Sequence, residues 1–192
     1  MDEIVEAALR KWPNVPHCHG WLGLDARGDW YLRDERAQAA GPFPTVRGSL
    51  IEHAKLREFI ARNYACDAAG CWYFQNGPQR VYVELEAAPW VWRLHPHGDA
   101  VEVRSHTDRA ARIDAAVVDE HGRLFLVAAE GLGIVHTADV EFASRVVDAG
   151  TWQPEPVRFE TLPTRHRYVL SPASLRSSAD GRAGATVGRQ PP

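Results

Sequence analysis

The stretch Cys71–Leu94, CWYFQNGPQRVYVELEAAPWVWRL, decides how the rest of the chain is read. After the Asn76-Gly77 hinge, Val81, Val83 and Leu85 alternate with Arg80, Tyr82, Glu84 and Glu86. Successive strand residues point to opposite faces, so this is a strand with one apolar and one polar side. Asn-Gly between two such runs is a hairpin signal. Pro89 then interrupts, as proline does at a strand start or a bulge. Beyond it Trp90, Trp92 and Leu94 alternate with Val91 and Arg93. The pattern predicts a sheet whose aliphatic and tryptophan side faces a core. Arg80, Tyr82, Glu84 and Arg93 would project from the other face of adjacent strands. There they would border a groove for a small anionic ligand or an acidic partner segment, two guanidinium groups holding the anion. The same pattern describes a solvated face laced with cross-strand ion pairs, each worth at most ~1 kcal/mol.

Working outward, Asp-x-x-Gly followed by apolar residues recurs three times, as DARGDWYL from Asp25, DAAGCWYF from Asp67 and DEHGRLFL from Asp119. An Asp that accepts from amides ahead of it and a glycine at positive φ close a hairpin. HPHGDAVEV from His95 and FQNGPQRV from Phe74 read as two further hairpins. The copies are unevenly spaced, which fits a duplicated β-subdomain better than a repeat array. Residues 2–12 have helical spacing, stopped by Pro13. A second helix is expected over 49–63: SLIE fits a capping box in which Ser49 caps and Glu52 reaches back, and Leu50, Ile51, Ala54, Phe59 and Ile60 form its apolar stripe.

The expected fold is therefore α+β and mostly β, with antiparallel hairpins in two related β-subdomains and one capped amphipathic helix. The expected partition is an N-terminal helix (1–16), a first β-rich subdomain (17–94), a second (95–150), an extended segment (151–170) and a disordered tail (171–192). The tail is rich in Ser, Gly, Ala and Pro and has too little apolar surface to offset its ordering entropy.

The 192 residues are 45% hydrophobic, enough to build a core, and carry a formal net charge of −3. Basic residues do not cluster, so nucleic acid is not an expected partner. No apolar run approaches the ~18–20 residues of a membrane span, and the acidic start MDEIVEAALRKWP lacks the apolar region of a signal peptide. Three cysteines, an odd number, argue against a disulfide scaffold and for a reducing, cytoplasmic setting.

The most metal-like stretch is HCHG, His17–Gly20. His17, Cys18 and His19 with Cys66 and Cys71 would supply ligands, but the spacing is not that of a structural zinc site. His106 in SHTD and His136 in VHTAD could each be oriented by a neighbouring carboxylate. No nucleophile elbow occurs, and EGLGIVH is not a phosphate loop.

The run from GWLGLDARGDWYLRD through GSLIEHAKLREFIARNY and WYFQNGPQRVYVELEAAPWVWRL to DEHGRLFLVAAEGLGIVHTADV resembles an uncharacterised proteobacterial family, a domain of unknown function, over about residues 15–147. More distantly, the order of hairpin, strands ending in VELEAAP and second hairpin is similar to another uncharacterised bacterial family. That resemblance implies two related β-rich subdomains and a part in signalling, but no catalytic residue and no cofactor. The expected function is a non-enzymatic ligand- or partner-binding, regulatory module with its site between the subdomains. The alternatives are a small metal-dependent hydrolase using histidines of HCH, SHTD or VHTAD, and a pure interaction protein.

Overall fold

The structure, a computed structural model, describes residues 1–98 and 100–176. Helix α1 (Glu3–Lys11) precedes β1 (Cys18–Leu24), β2 (Trp30–Leu32), α2 (Glu35–Ala40), β3 (Ser49–Leu50), α3 (Ala54–Arg62), β4 (Tyr64–Cys66), β5 (Trp72–Asn76) and β6 (Gln79–Leu85). Then come β7 (Trp90–His97), β8 (Ala100–Ser105), β9 (Ala110–Ala111), β10 (Ile113–Val118), β11 (Leu124–Ala128), β12 (Gly131–Val135), α4 (Val140–Asp148), β13 (Glu155–Pro156) and α5 (Leu162–Arg165). The fold is α+β and mostly β, as the alternation implies. No helix among the described residues is long and apolar enough to cross a membrane.

The strands form two sheets, β3-β2-β1-β6-β5-β4 and β9-β8-β7-β12-β11-β10-β13. Counting six strands per sheet in chain order, both follow the order third, second, first, sixth, fifth, fourth. In both, the first and sixth strands run parallel (β1 with β6, β7 with β12) and the other neighbours among the six run antiparallel. The two β-subdomains are thus related by topology, and the hairpins are local pieces of mixed sheets. In the second sheet β13 adds a parallel neighbour to β10. Arg112 alone separates β9 from β10, although they lie at opposite ends of the six-strand order. That sheet therefore curls until its ends meet.

The expected boundary at residue 94 is corrected. β6 ends the first sheet at Leu85, and β7, from Trp90, pairs with β8 and β12 of the second. The crossover is Glu86–Pro89, and proline's missing donor suits the point where one ladder stops and another starts. One apolar core spans both sheets, joining Leu24, Val83 and Leu85 of the first to Trp90, Trp92 and Phe125 of the second. Trp30, Tyr64, Trp72 and Trp90 pack at centroid separations of 4.7–5.5 Å across the junction.

All three Asp-x-x-Gly stretches close hairpins by one mechanism. Oδ1 of Asp25, Asp67 and Asp119 accepts from the amides two and four residues on, at 2.9–3.0 Å. Gly28, Gly70 and Gly122 take φ of 84°, 83° and 73°. A fourth turn of this form, unseen in sequence, joins β8 to β9 at Ser105–Arg109. There the Ser105 hydroxyl accepts from Thr107 and Arg109 amides at 3.3 and 3.1 Å, and Asp108 holds the glycine position at φ 61°.

The second helix begins later than its capping box implies. Ser49 and Leu50 form β3, paired with Leu32 and Tyr31. The cap of α3 is His53, whose Nδ1 accepts from the Leu56 amide at 3.2 Å. Sheet pairing outcompetes the local Ser-x-x-Glu signal. Ser49→Ala should leave the unfolding free energy from urea titration within ~0.5 kcal/mol of wild type. His53→Ala should lower stability by up to ~1 kcal/mol. The reverse order would restore Ser49 as the cap.

The C-terminal part returns to the first sheet. Tyr168 donates to the Ala87 carbonyl at 2.9 Å, the Val169 amide to Gly70, and the Leu85 amide to Leu170. Residues 171–176, expected as the start of a disordered tail, make a helical turn capped by the Ser171 hydroxyl. The remaining tail, 177–192, lies outside the described residues.

Candidate functional site

The expected groove residues do not form one surface. β6 does alternate as expected: Val83 and Leu85 enter the main core, whereas Tyr82 joins Cys71 and Tyr73 in a small cluster on the far face. On that face His19 stacks on Tyr82 at 4.5 Å, Arg80 lies 4.6 Å over Tyr73, and the Tyr82 hydroxyl donates to Asp67 at 3.0 Å. Glu84 is covered: it is 4% exposed and accepts from the Ala173 amide at 3.1 Å. Burial pushes its carboxyl up from the usual range. Arg93 stands in the other sheet, bound to Asp139 at 2.7 and 3.3 Å. Consecutive strands of sequence have been dealt to different sheets, so the four-residue grouping is corrected to Arg80, Tyr82 and Glu84 with Arg93 apart. Residues in separate networks add. The double variant Arg80→Ala/Arg93→Ala should therefore lose the sum of its single losses within ~0.5 kcal/mol by denaturant titration, and a larger departure would place the two in one network.

The histidines also disperse. His17 and His19 flank Tyr82, and His136 caps the turn before α4 with Nδ1 accepting from Ala138 at 3.0 Å. Cys18 lines a small apolar pocket with Trp21 and Val81. Burial pushes the Cys66 and Cys71 thiols up to about 11, away from the thiolate a metal needs. Among the described residues no three His, Cys, Asp or Glu side chains group as metal ligands. The histidine-based metal hydrolase thereby loses its geometric premise.

What converges is the junction between the sheets. The first sheet's Asp25–Asp29 turn leans on the second: a Cβ at Gly28 would stand 2.8 Å from the Cβ of His106. Asp25 is held by Tyr31 at 3.3 Å and Arg47 at 2.5 Å, and Arg47 also grips Glu86 at 3.0 Å. His106 donates its amide to the Val91 carbonyl at 2.7 Å and accepts the Val91 amide on Nδ1 at 3.2 Å. That bond assigns the ring proton to Nε2. The ring lies 5.5–5.9 Å from Trp30, Tyr64 and Trp90, and Nε2 has neither exposed surface nor partner among the described residues. Burial, with the nearby Arg109 cation, pulls its pKa down to about 3, so the ring is neutral. Outside it opens a cleft of about 270 Å³, lined by Gly28, Trp30, Arg57, Glu58, Thr107 and Asp108 among others. Arg109 ties the cleft's two walls, donating to the Ala61 carbonyl of α3 at 3.4 Å. Sequence reasoning noted His106 only for its neighbouring Asp108; that carboxylate is instead bound to Arg104 at 2.9 Å.

Over residues 1–180 the chain matches the family described as Protein of unknown function (DUF2946), under the family name DUF2944. It belongs to that family. The expected likeness to a family of unknown function therefore extends well beyond the central strands. Comparison with curated proteins finds no match. Among solved structures, the chain is similar to a DUF1285 family protein from Silicibacter pomeroyi DSS-3, with 11% identity and a TM-score of 0.47, over 76% of this chain and 85% of that one. It is also similar to a DUF1285 family protein from Shewanella baltica OS155, with 16% identity and a TM-score of 0.45, over 65% of this chain and 91% of that one.

Proposed function

We propose that this chain is a non-enzymatic binding and regulatory module whose ligand enters the cleft between the two sheets. The observation that carries the reading is the buried Nε2–H of His106, a hydrogen-bond donor with no acceptor among the described residues. Buried donors are nearly always paired, and a lone one at a cleft is a candidate contact for a ligand. Arg57 lines the same cleft and has no ion pair among the described residues. A small molecule with one anionic, accepting group would pair with Arg57 and, once the cleft wall over the His106 ring parts, accept from Nε2–H, which has no exposed surface in the closed cleft. Because the cleft's walls come from both subdomains, occupancy would couple the two, which is the regulatory element of the reading.

The test titrates benzoate, then propionate, into the full chain while following the His106 imidazole nitrogens by NMR. A saturable shift of Nε2, a rise in Tm and loss of both in Arg57→Ala are the expected results. No saturable change with either probe would sink the small-carboxylate reading.

A further inference from the structure

A cavity of about 560 Å³ lies elsewhere, beside β10. Its lining has an unusual form. Ile113, Asp114, Ala115, Ala116 and Val117 all contribute, five residues in a row. A strand that shows a face to a cavity lines it with every second residue. Five in succession means that β10 presents its edge, and with it the backbone N–H and C=O groups. The facing wall is also a continuous run, Gly150–Gln153, continued by Glu155.

The two walls are strands of one ladder that separate. β13 pairs with β10 in parallel only at Val117–Glu155 and Val118–Pro156. If that register continued, residues 151–154 would cover 113–116. They diverge instead, and Pro154 has no N–H to give to such a ladder. On the other side of β10, a bulge between Ile113 and Ala115 bends the strand at the same place. Glu155 and Arg165 of the lining pair with each other at 3.1 Å, but other polar groups along the slot are uncommitted. His166 Nε2 is buried without a partner. Among the described residues the Trp152 indole, Gln153 amide and Thr151 hydroxyl make no side-chain hydrogen bond.

We infer that this slot binds an extended polypeptide segment, which adds a strand to the open edge of β10 over residues 113–116. The chemistry of the walls selects the occupant: an open strand edge is complemented by another backbone, and the same edge already accepts β13 two residues further on. Strand addition draws affinity from main-chain hydrogen bonds and specificity from side chains beside the slot. Trp152 would supply the apolar contact and the Gln153 amide a donor to a peptide carbonyl.

The experiment selects linear nonapeptides from a random display library on the full chain, then studies one selected peptide in three ways. Bound peptide should slow amide exchange at Asp114–Ala116 at least tenfold. N-methylation of alternate peptide residues on the pairing edge should weaken binding at least tenfold. Trp152→Ala should weaken it at least fivefold, and Gln153→Ala at least twofold, in proteins whose Tm is checked. Failure to select any binder, protection mapping to another surface, or full affinity in the N-methylated peptide would each overturn the inference. Protection mapping to the His106 cleft would do so while leaving the proposed ligand site standing, and benzoate competition separates the two sites.

Discussion

Gly28→Val is expected to cost far more stability than Gly122→Val, although the two glycines occupy the same position of the same turn. Both have positive φ, 84° and 73°, which a β-branched residue resists at a cost on the order of 1–3 kcal/mol. At Gly122 a Cβ would meet nothing within 4 Å, so the loss should stop there. At Gly28 the Cβ would stand 2.8 Å from the His106 Cβ and 3.7 Å from that of Val91. Neither neighbour can swing away, because each is a first side-chain carbon on a paired backbone. Overpacking of this kind adds roughly 1–3 kcal/mol. The expected total at Gly28 is about 2–6 kcal/mol, a large part of the ~5–15 kcal/mol that holds a typical domain together. Urea denaturation of both variants is the measurement. Equal losses would mean that the Asp25–Asp29 turn does not bear on the second sheet, and the junction as described would be wrong.

The acid limb of stability should belong in good part to His106. Its pKa falls from an ordinary 6.5 to about 3 in the folded chain, chiefly through burial among Trp30, Tyr64 and Trp90. Above pH ~6.5 both states carry a neutral ring and the group costs nothing. Between about 6.5 and 3 the unfolded chain takes up a proton that the folded chain refuses, so stability falls as pH falls, by up to ~1.4 kcal/mol per unit. His17, His19, His136 and His166 are shifted in the same direction, and burial leads in each case. The contribution of His106 must therefore be read as a difference. His106→Phe keeps a ring of similar bulk and should flatten the slope between pH 6.5 and 4.5, above the range where Asp139 and Asp119, both lowered, begin to protonate. The variant should also lose roughly 1–3 kcal/mol at pH 8, because the Val91 amide is left unpaired. A slope identical to wild type would show that the ring is not enclosed as described.

These two expectations separate what is local from what is not. The Asp-x-x-Gly turns were legible because their chemistry lies within five residues: one carboxylate, two amides and one positive φ. The alternation of Val81, Val83 and Leu85 with Arg80, Tyr82 and Glu84 was legible because strand geometry alone sets it. The turn at Ser105–Arg109 carries a weaker form of the same signal, a hydroxyl for the carboxylate and Asp108 for the glycine. It would be found by asking what else can accept two amides and what else tolerates positive φ.

Ser49 was misread because its capping box is a local signal, whereas its pairing with Leu32 is made by a strand arriving from another part of the chain. Arg93 groups with Arg80 in the sequence because the twelve intervening residues look like one sheet. The parallel partners of β6 and β7, β1 and β12, lie far along the chain in opposite directions and pull the two strands into different sheets. The candidate sites are the least legible of all. The His106 environment is assembled from Trp30, Tyr64 and Trp90 on three separate strands, and the slot beside β10 exists because a late segment pairs for two residues and then diverges. By itself the sequence determined the turns, the strand faces and the mostly β character, because each depends on contacts between near neighbours. Tertiary structure alone decided the division into sheets and the clefts, because those depend on which distant strands pair and where the pairing stops.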